Sequence, residues 1–215
     1  MSSPATVALS QFAGRSGELD REVEDLATLA QCGLPVATII VVPPEVEAEF
    51  YRLNNLGERL QERFSGVNLG FPDDEDIEDL APAAEATVYG HYLLDEFIDA
   101  FYAAIEGLPD ELRIRRPGED GITVSGARGA LLGLKRNWSA SWSFDSVWAR
   151  LSASGELMPP PRPLLLHAAE LAPLPAVLSR DASALLGRPL ELLGDPVMGI
   201  SRIVQRGPVG GGPYG

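Results

Sequence analysis

The sequence predicts an α/β or α+β fold: a mixed sheet with helices on its faces, and a smaller β-rich portion towards the C-terminal end. Three observations carry that prediction. An amphipathic helical stripe over residues 19–30 stops at Gly33-Leu34-Pro35 and gives way to an apolar run at 36–42. Pro43-Pro44 then open a second helical stripe. Further on, residues 122–132 repeat the order strand, glycine-containing turn, helix.

Taken in order, residues 1–17 are small and polar around Phe12 and read as a flexible arm, followed by an α/β core domain over 18–157. Leu19, Val23, Leu26, Ala27 and Ala30 share one face of the first helix, while Glu18, Arg21, Glu22, Glu24 and Asp25 occupy the others. Gly33 stands where a left-handed residue ends a helix, and Pro35 cannot continue it. Residues 36–42 are nearly all apolar and rich in β-branched side chains, the pattern of a strand covered on both faces. Val46, Phe50, Leu53, Leu60 and Phe64 then give one helix from Pro44 to Phe64, with Glu45, Glu47 and Glu49 near its positive end. The connection 64–86 holds six acids in the seven residues 73–79. These lack the order of an EF-hand loop, so a solvated acidic loop is expected there and no calcium site. A long central helix follows over 87–106, with Leu94, Ile98, Phe101 and Ile105 on one face and Leu93 and Phe97 beside them. Two short strands, 111–116 and 121–125, flank the turn 117–121, and Ser143 starts a helix running to about Ser152. Residues 158–163 form a proline-rich connector into a β-rich lobe over 158–205, with strands at 164–171, 176–179 and 189–193. The Gly/Pro tail spans 206–215.

Acids outnumber bases 31 to 17, and Lys135 is the single lysine. A net charge of −14 repels phosphate backbones and argues against nucleic acid; acidity that serves only solubility accounts for it, and docking on a basic partner surface is the other reading. No run approaches the roughly 18 apolar residues of a membrane span, and the N-terminus lacks the pattern of a signal peptide, so a cytoplasmic protein without membrane insertion is expected. The lone Cys32 excludes an internal disulfide framework and reads as a small residue at a helix end.

Candidate chemistry is sparse. His91 lies one turn from Asp95, and His167 lies close to Glu170, but neither pair is joined to a nucleophile or an oxyanion motif. The turn after the strand at 122–125 offers Ser125, Gly126, Arg128 and Gly129, whose backbone N–H groups and one guanidinium are the parts of an anion site. It matches neither a P-loop nor a dinucleotide fingerprint, and close helix–strand packing explains the same glycines. Trp138, Trp142 and Trp148, with Phe144 among them, suit a core or an interface better than a base-stacking groove on so acidic a chain.

The segment 25–36, ending Cys32-Gly33-Leu34-Pro35-Val36, together with the strand, prolines and helix after it, resembles the start of the nucleotide-binding, ATP-grasp domain of pyruvate phosphate dikinases and phosphoenolpyruvate synthases. The resemblance continues in collinear order through Ala130 to Ser141 and to about Pro196. It implies an ATP-grasp N-lobe-like core. It also locates departures: Glu22 stands where that family has its phosphate-contacting lysine, and Ser125 where it has its phosphate-contacting arginine. The family's metal-bearing segment lies beyond the part matched. Phosphoryl transfer needs cations around the phosphates, so the expectation is a non-catalytic interaction or accessory subunit with a protein partner and no cofactor, a pseudoenzyme. A nucleotide- or anion-binding regulatory module, taking ATP or ADP, is the alternative, and an enzyme of another class is the third.

Overall fold

The computed structural model describes residues 7–8, 20–70 and 72–205; the rest of the expected N-terminal arm and the expected tail lie outside the described residues. The architecture is α+β. A five-stranded antiparallel sheet runs in the order β1 (Val7–Ala8), β2 (Ile40–Val42), β5 (Leu164–Ala168), β3 (Glu111–Arg115), β4 (Ile122–Ser125). A second, three-stranded antiparallel sheet joins β6 (Ala172–Pro173), β7 (Leu190–Asp195) and β8 (Gly199–Gln205). Among the described residues, parallel pairing is confined to one bridge between Val36 and Ile200.

The alternation of side chains along a strand assigns each face of the larger sheet to its own core. Ile40, Val42, Leu112, Ile114, Leu164 and Leu166 point to a helical layer built from α2 (Pro44–Leu53), α3 (Leu56–Arg63), α4 (Asp74–Gly90), α5 (Asp95–Ile105), α6 (Gly126–Ser139) and α7 (Phe144–Ser154). Val41 and Leu165 point the other way, onto α1 (Arg21–Gln31), α8 (Ala176–Leu186) and the second sheet. β2 is therefore buried on both sides, as its composition predicts. The expected strand at 36–42 pairs as a strand only from Ile40, because Pro35 and Ala37 bond instead to Ile200 at the start of β8.

The end of α1 follows the sequence closely. Gly33 is left-handed (φ 84°), its N–H donates to Ala30 O and that of Leu34 to Leu29 O, the paired bonds of a Schellman motif. Other expected elements are corrected. The helix expected at 44–64 is two helices, broken at Asn54-Asn55, where Asn55 adopts φ 50°. Asparagine is among the few side chains that tolerate that conformation.

The acidic stretch at 73–79 is not a loop but the opening of α4. Asp73 Oδ1 accepts from Glu75 N at 3.0 Å, and Asp74, Glu75 and Asp76 sit at the positive end of the macrodipole. Ile77, Ala81, Ala84 and Val88 form its buried stripe. The single helix expected at 87–106 breaks at His91–Leu94 into α4 and α5. At about 100° per residue, a straight helix would turn Phe101 roughly 220° away from Val88. Both are buried, so the axis has to change direction between them.

The strand expected at 176–179 is the first turn of α8, whose Leu178, Ala182 and Leu186 repeat every four residues against α1. Leu164–Ala168, expected among the C-terminal strands, pairs between β2 and β3 in the larger sheet. Of the three tryptophans expected in a core or an interface, Trp138 and Trp142 are buried: Phe50 stacks on Trp138 at 5.0 Å, and Trp142 Nε1 donates to Tyr51 Oη at 2.7 Å. Trp148 stacks on Phe144 at the surface, 36% exposed.

The β3–β4 turn bears on the site below. Gly118 and Gly121 both have positive φ, 78° and 72°, but a Cβ on Gly118 would meet nothing, whereas one on Gly121 would lie 2.2 Å from Ile114 O. Gly118→Ala is expected to cost about 1 kcal/mol, the ordinary left-handed penalty, and Gly121→Ala about 3 kcal/mol as overlap adds to it. Urea unfolding of the two variants checks this, and equal losses would show that the turn relaxes freely.

Candidate functional site

Two places concentrate polar or apolar groups beyond what the hydrophobic layers require. The first is enclosed. Strand alternation that sends Leu112 and Ile114 to the helical layer sends Arg115 to the opposite face, beside His167 of β5. Arg115 is wholly buried, and every nitrogen of its guanidinium has a partner. Nη1 and Nη2 donate to the two carboxylate oxygens of Glu22 at 2.7 and 2.8 Å, Nη2 also to Ser201 O at 3.2 Å, and Nε to His167 Nε2 at 3.0 Å. Since His167 Nε2 accepts, the proton of the neutral ring is on Nδ1, 2.8 Å from Ala168 O.

Glu22 also accepts from the N–H groups of Gly118 at 2.8 Å and Ile203 at 3.1 Å. Burial opposes its charge, but Arg115 and these two donors outweigh burial and hold the carboxyl below its ordinary value. Burial and the Arg115 charge push His167 down to about 4. Arg116, the next residue, turns to the other face and meets Glu47 through Nη1 at 3.3 Å and Nη2 at 3.1 Å. There burial prevails, and the Glu47 carboxyl is raised despite its partner.

Glu22 is thus the carboxylate of a closed polar centre. Sequence reasoning missed Arg115, Arg116 and the burial of Glu47. One signal was legible: Glu22, Leu26 and Leu29 fall on a single helical stripe, so an acid there is aimed at the core and needs a partner.

Beside this centre, Asp20, Arg21, Glu22, Asp25, Arg188 and Arg202 border a cavity of about 280 Å³ at the start of α1. Its charges are largely paired across the chain: Arg188 meets Asp25, Arg162 meets Asp20 at 3.5 Å, and Arg202 meets Asp120 at 2.7 Å. Arg188 Nε and Nη1 are buried without a partner.

The residues singled out from sequence are dispersed. Ser125 precedes α6 and makes no capping bond with its side chain, the Gly126 N–H is engaged by Asp110 O at 2.8 Å, and Arg128 is exposed on the first turn with Gly129 beside Val124. His91 ends α4, with Nδ1 2.5 Å from Thr87 O and Nε2 2.9 Å from Arg59 Nη1, while Asp95 opens α5. His167 uses its nitrogens on Arg115 and Ala168 and not on Glu170. Cys32 is a free, exposed thiol at the end of α1. Among the described residues no group of three or more His, Cys, Asp or Glu is placed to hold a metal ion, and no helix is long and apolar enough to cross a membrane.

The second place is open. Between α2 and the start of α5 runs an apolar groove of about 720 Å³. Val46, Phe50 and Leu53 form one wall, and Leu93, Leu94 and Phe97 the other. Tyr92 is 86% exposed, Leu94 50% and Leu53 43%, a concentration of bared apolar surface found nowhere else on the described helical layer. The α4–α5 connection is held in place from α2: Asn54 Nδ2 donates both to Phe50 O at 2.9 Å and to Tyr92 O at 3.0 Å. Glu45, Glu49 and Glu96 edge the groove. The helix break that Phe101 and Val88 require is what exposes it, since the connection carries Tyr92 and Leu94 outwards. A scan of protein-family models and a search of curated proteins give no match to this chain.

Proposed function

We propose that this chain is a non-catalytic interaction or accessory subunit, a cytoplasmic pseudoenzyme descended from a phosphoenolpyruvate synthase-like nucleotide-binding domain, and that it engages a partner protein through the α2–α5 groove. The observation that carries the proposal is the contrast between its two polar and apolar concentrations. Arg115, Glu22 and His167 spend their hydrogen-bonding capacity on each other and on backbone groups, leaving nothing to offer a substrate. Tyr92, Leu53 and Leu94 are bared beside a concavity of the size that ligands and anchor side chains fill. Glu22 and Ser125, at the positions of the resembled family's phosphate-contacting cations, agree with a loss of phosphotransfer, and the net charge of −14 disfavours nucleic acid as the partner.

The test is capture of tagged protein from its native lysate, followed by sizing and mass spectrometry, with a Leu53→Ser/Tyr92→Ser/Leu94→Ser variant alongside. A stoichiometric partner retained by the wild type and lost by the variant is expected. No partner, or one held equally by both, overturns the proposal. Saturating ATP, ADP or phosphoenolpyruvate should leave the melting temperature unchanged. A ligand at about 100 times its Kd would stabilise by roughly 2.7 kcal/mol. Such a shift would favour the anion-binding alternative, with the unpartnered nitrogens of Arg188 as its support.

A further inference from the structure

We infer that the occupant of the α2–α5 groove is a basic amphipathic helix that lays large apolar side chains along the floor and Lys or Arg along both edges. This rests on the interaction proposal above and names the chemistry of its partner. Three features point to it.

The first is shape. α2 has 10 residues, which makes its wall about 15 Å long, the length of a helical segment of roughly three turns. The apolar positions Val46, Phe50 and Leu53 recur along that wall at helical spacing, so a partner helix would match them with anchors at i, i+3 or i+4, and i+7.

The second is charge. Glu45 and Glu96 stand at opposite edges, both exposed, and neither forms an ion pair among the described residues. Asp95 and Asp99 extend the α5 edge, likewise exposed and without an ion pair among the described residues. Arg52 adjoins this wall, where Glu49 holds it at 2.5 Å, while Arg59 and Arg63 lie on the far side of Tyr92. Free acids flanking an apolar floor select a partner of opposite sign and repel one of like sign.

The third is what the same charges exclude. Two copies related by a two-fold axis would set these acids against themselves, with −14 on each chain. An anionic bilayer surface is repelled for the same reason. Residues 206–215, with five glycines and two prolines, and residues 1–19, with the single base Arg15, do not have the pattern.

The experiment is selection from a displayed library of 16-residue peptides on the immobilised full chain, with the Leu53→Ser/Leu94→Ser variant as counter-target. Enriched peptides should be cationic, with large apolar residues at helical spacing. By fluorescence anisotropy they should bind Glu45→Lys/Glu96→Lys at least tenfold more weakly than wild type. Glu78→Lys/Asp79→Lys changes the net charge equally on an exposed part of α4, and should shift Kd by less than twofold in the same salt. Enriched peptides that are acidic or lack helical spacing overturn the inference. So do equal losses from the two charge-reversed variants, which would reveal mere attraction to an acidic protein, and so does an absence of enrichment. A concentration-dependent dimer on sizing that Leu94→Ser abolishes also overturns it, by making a second copy the occupant. If the lysate partner needs the groove while the selected peptides are not basic, the interaction proposal stands and this inference alone falls.

Discussion

Replacing Arg115 with methionine is expected to destabilise the protein by about 3–5 kcal/mol, the usual cost of breaking a buried ion pair from one side. The shape of the side chain is roughly kept, so lost packing contributes little. What is left behind decides the magnitude. Glu22 would keep its hydrogen bonds to the Gly118 and Ile203 N–H groups but lose its counter-charge, while Ser201 O and His167 Nε2 would each lose a donor. Glu22→Leu should be comparably harmful, because it strands the guanidinium instead. The double variant Glu22→Leu/Arg115→Met should then be more stable than the sum of the two losses implies, by about 1–3 kcal/mol, since no charge remains buried. Urea unfolding at neutral pH measures all three. A single-variant loss below about 1 kcal/mol would mean that water reaches the centre, and an additive cycle would mean that the pair is not coupled. If either single variant fails to fold, recovery of a cooperative transition in the double variant demonstrates the same coupling.

The centre also explains which parts of the architecture were readable in advance. The Gly33 stop, the doubly covered strand at β2 and the β3–β4 hairpin depend on local chemistry: a left-handed C′ residue, a β-branched run, and a glycine-bearing turn. Those signals survive in any tertiary context. The breaks at Asn54-Asn55 and at His91–Leu94 do not have such markers, because each exists to bury two stripes that point in different directions, and those directions are set by the layers around them. The acids at 73–79 misled for a related reason. Charge density suggests a loop, yet the same residues suit the first turn of α4, and the stripe from Ile77 to Val88 lies beyond the acids themselves. Arg115 is the plainest case. In a strand where Leu112 and Ile114 alternate with Arg113 and Arg115, the arginines read as solvent-facing, and only the packing of α1 and β8 over that face makes one of them internal. The groove was legible residue by residue, since Leu53, Leu93, Leu94 and Phe97 are all apolar, but their gathering around one concavity is a property of the fold and not of the pattern.

Acidification should destabilise the protein through His167. In the folded protein its imidazole titrates at about 4, against an ordinary value of 6.5, because it is fully enclosed and the Arg115 charge opposes a second positive charge beside it. A depressed folded value means that the neutral ring's contribution is fully present above pH 6.5 and is lost as pH falls towards 4. The separation of the two values corresponds to about 3 kcal/mol over that window. Glu22, held below the ordinary carboxyl range, loses its contribution at lower pH still. Glu47, raised by burial, changes with the opposite sign. The comparison with His167→Gln removes those carboxyl effects, which both proteins share. Glutamine offers Arg115 Nε an acceptor without a site for a proton. Between about pH 7 and pH 4 the wild type should lose about 3 kcal/mol more stability than the variant in urea unfolding, even if the variant starts lower at neutral pH. Parallel curves would mean that the ring is protonated without penalty, which requires the polar centre to open to water. In that event the saturation that assigns Arg115, Glu22 and His167 a structural role would fail, and the cavity at the start of α1 would become the first place to look for a ligand.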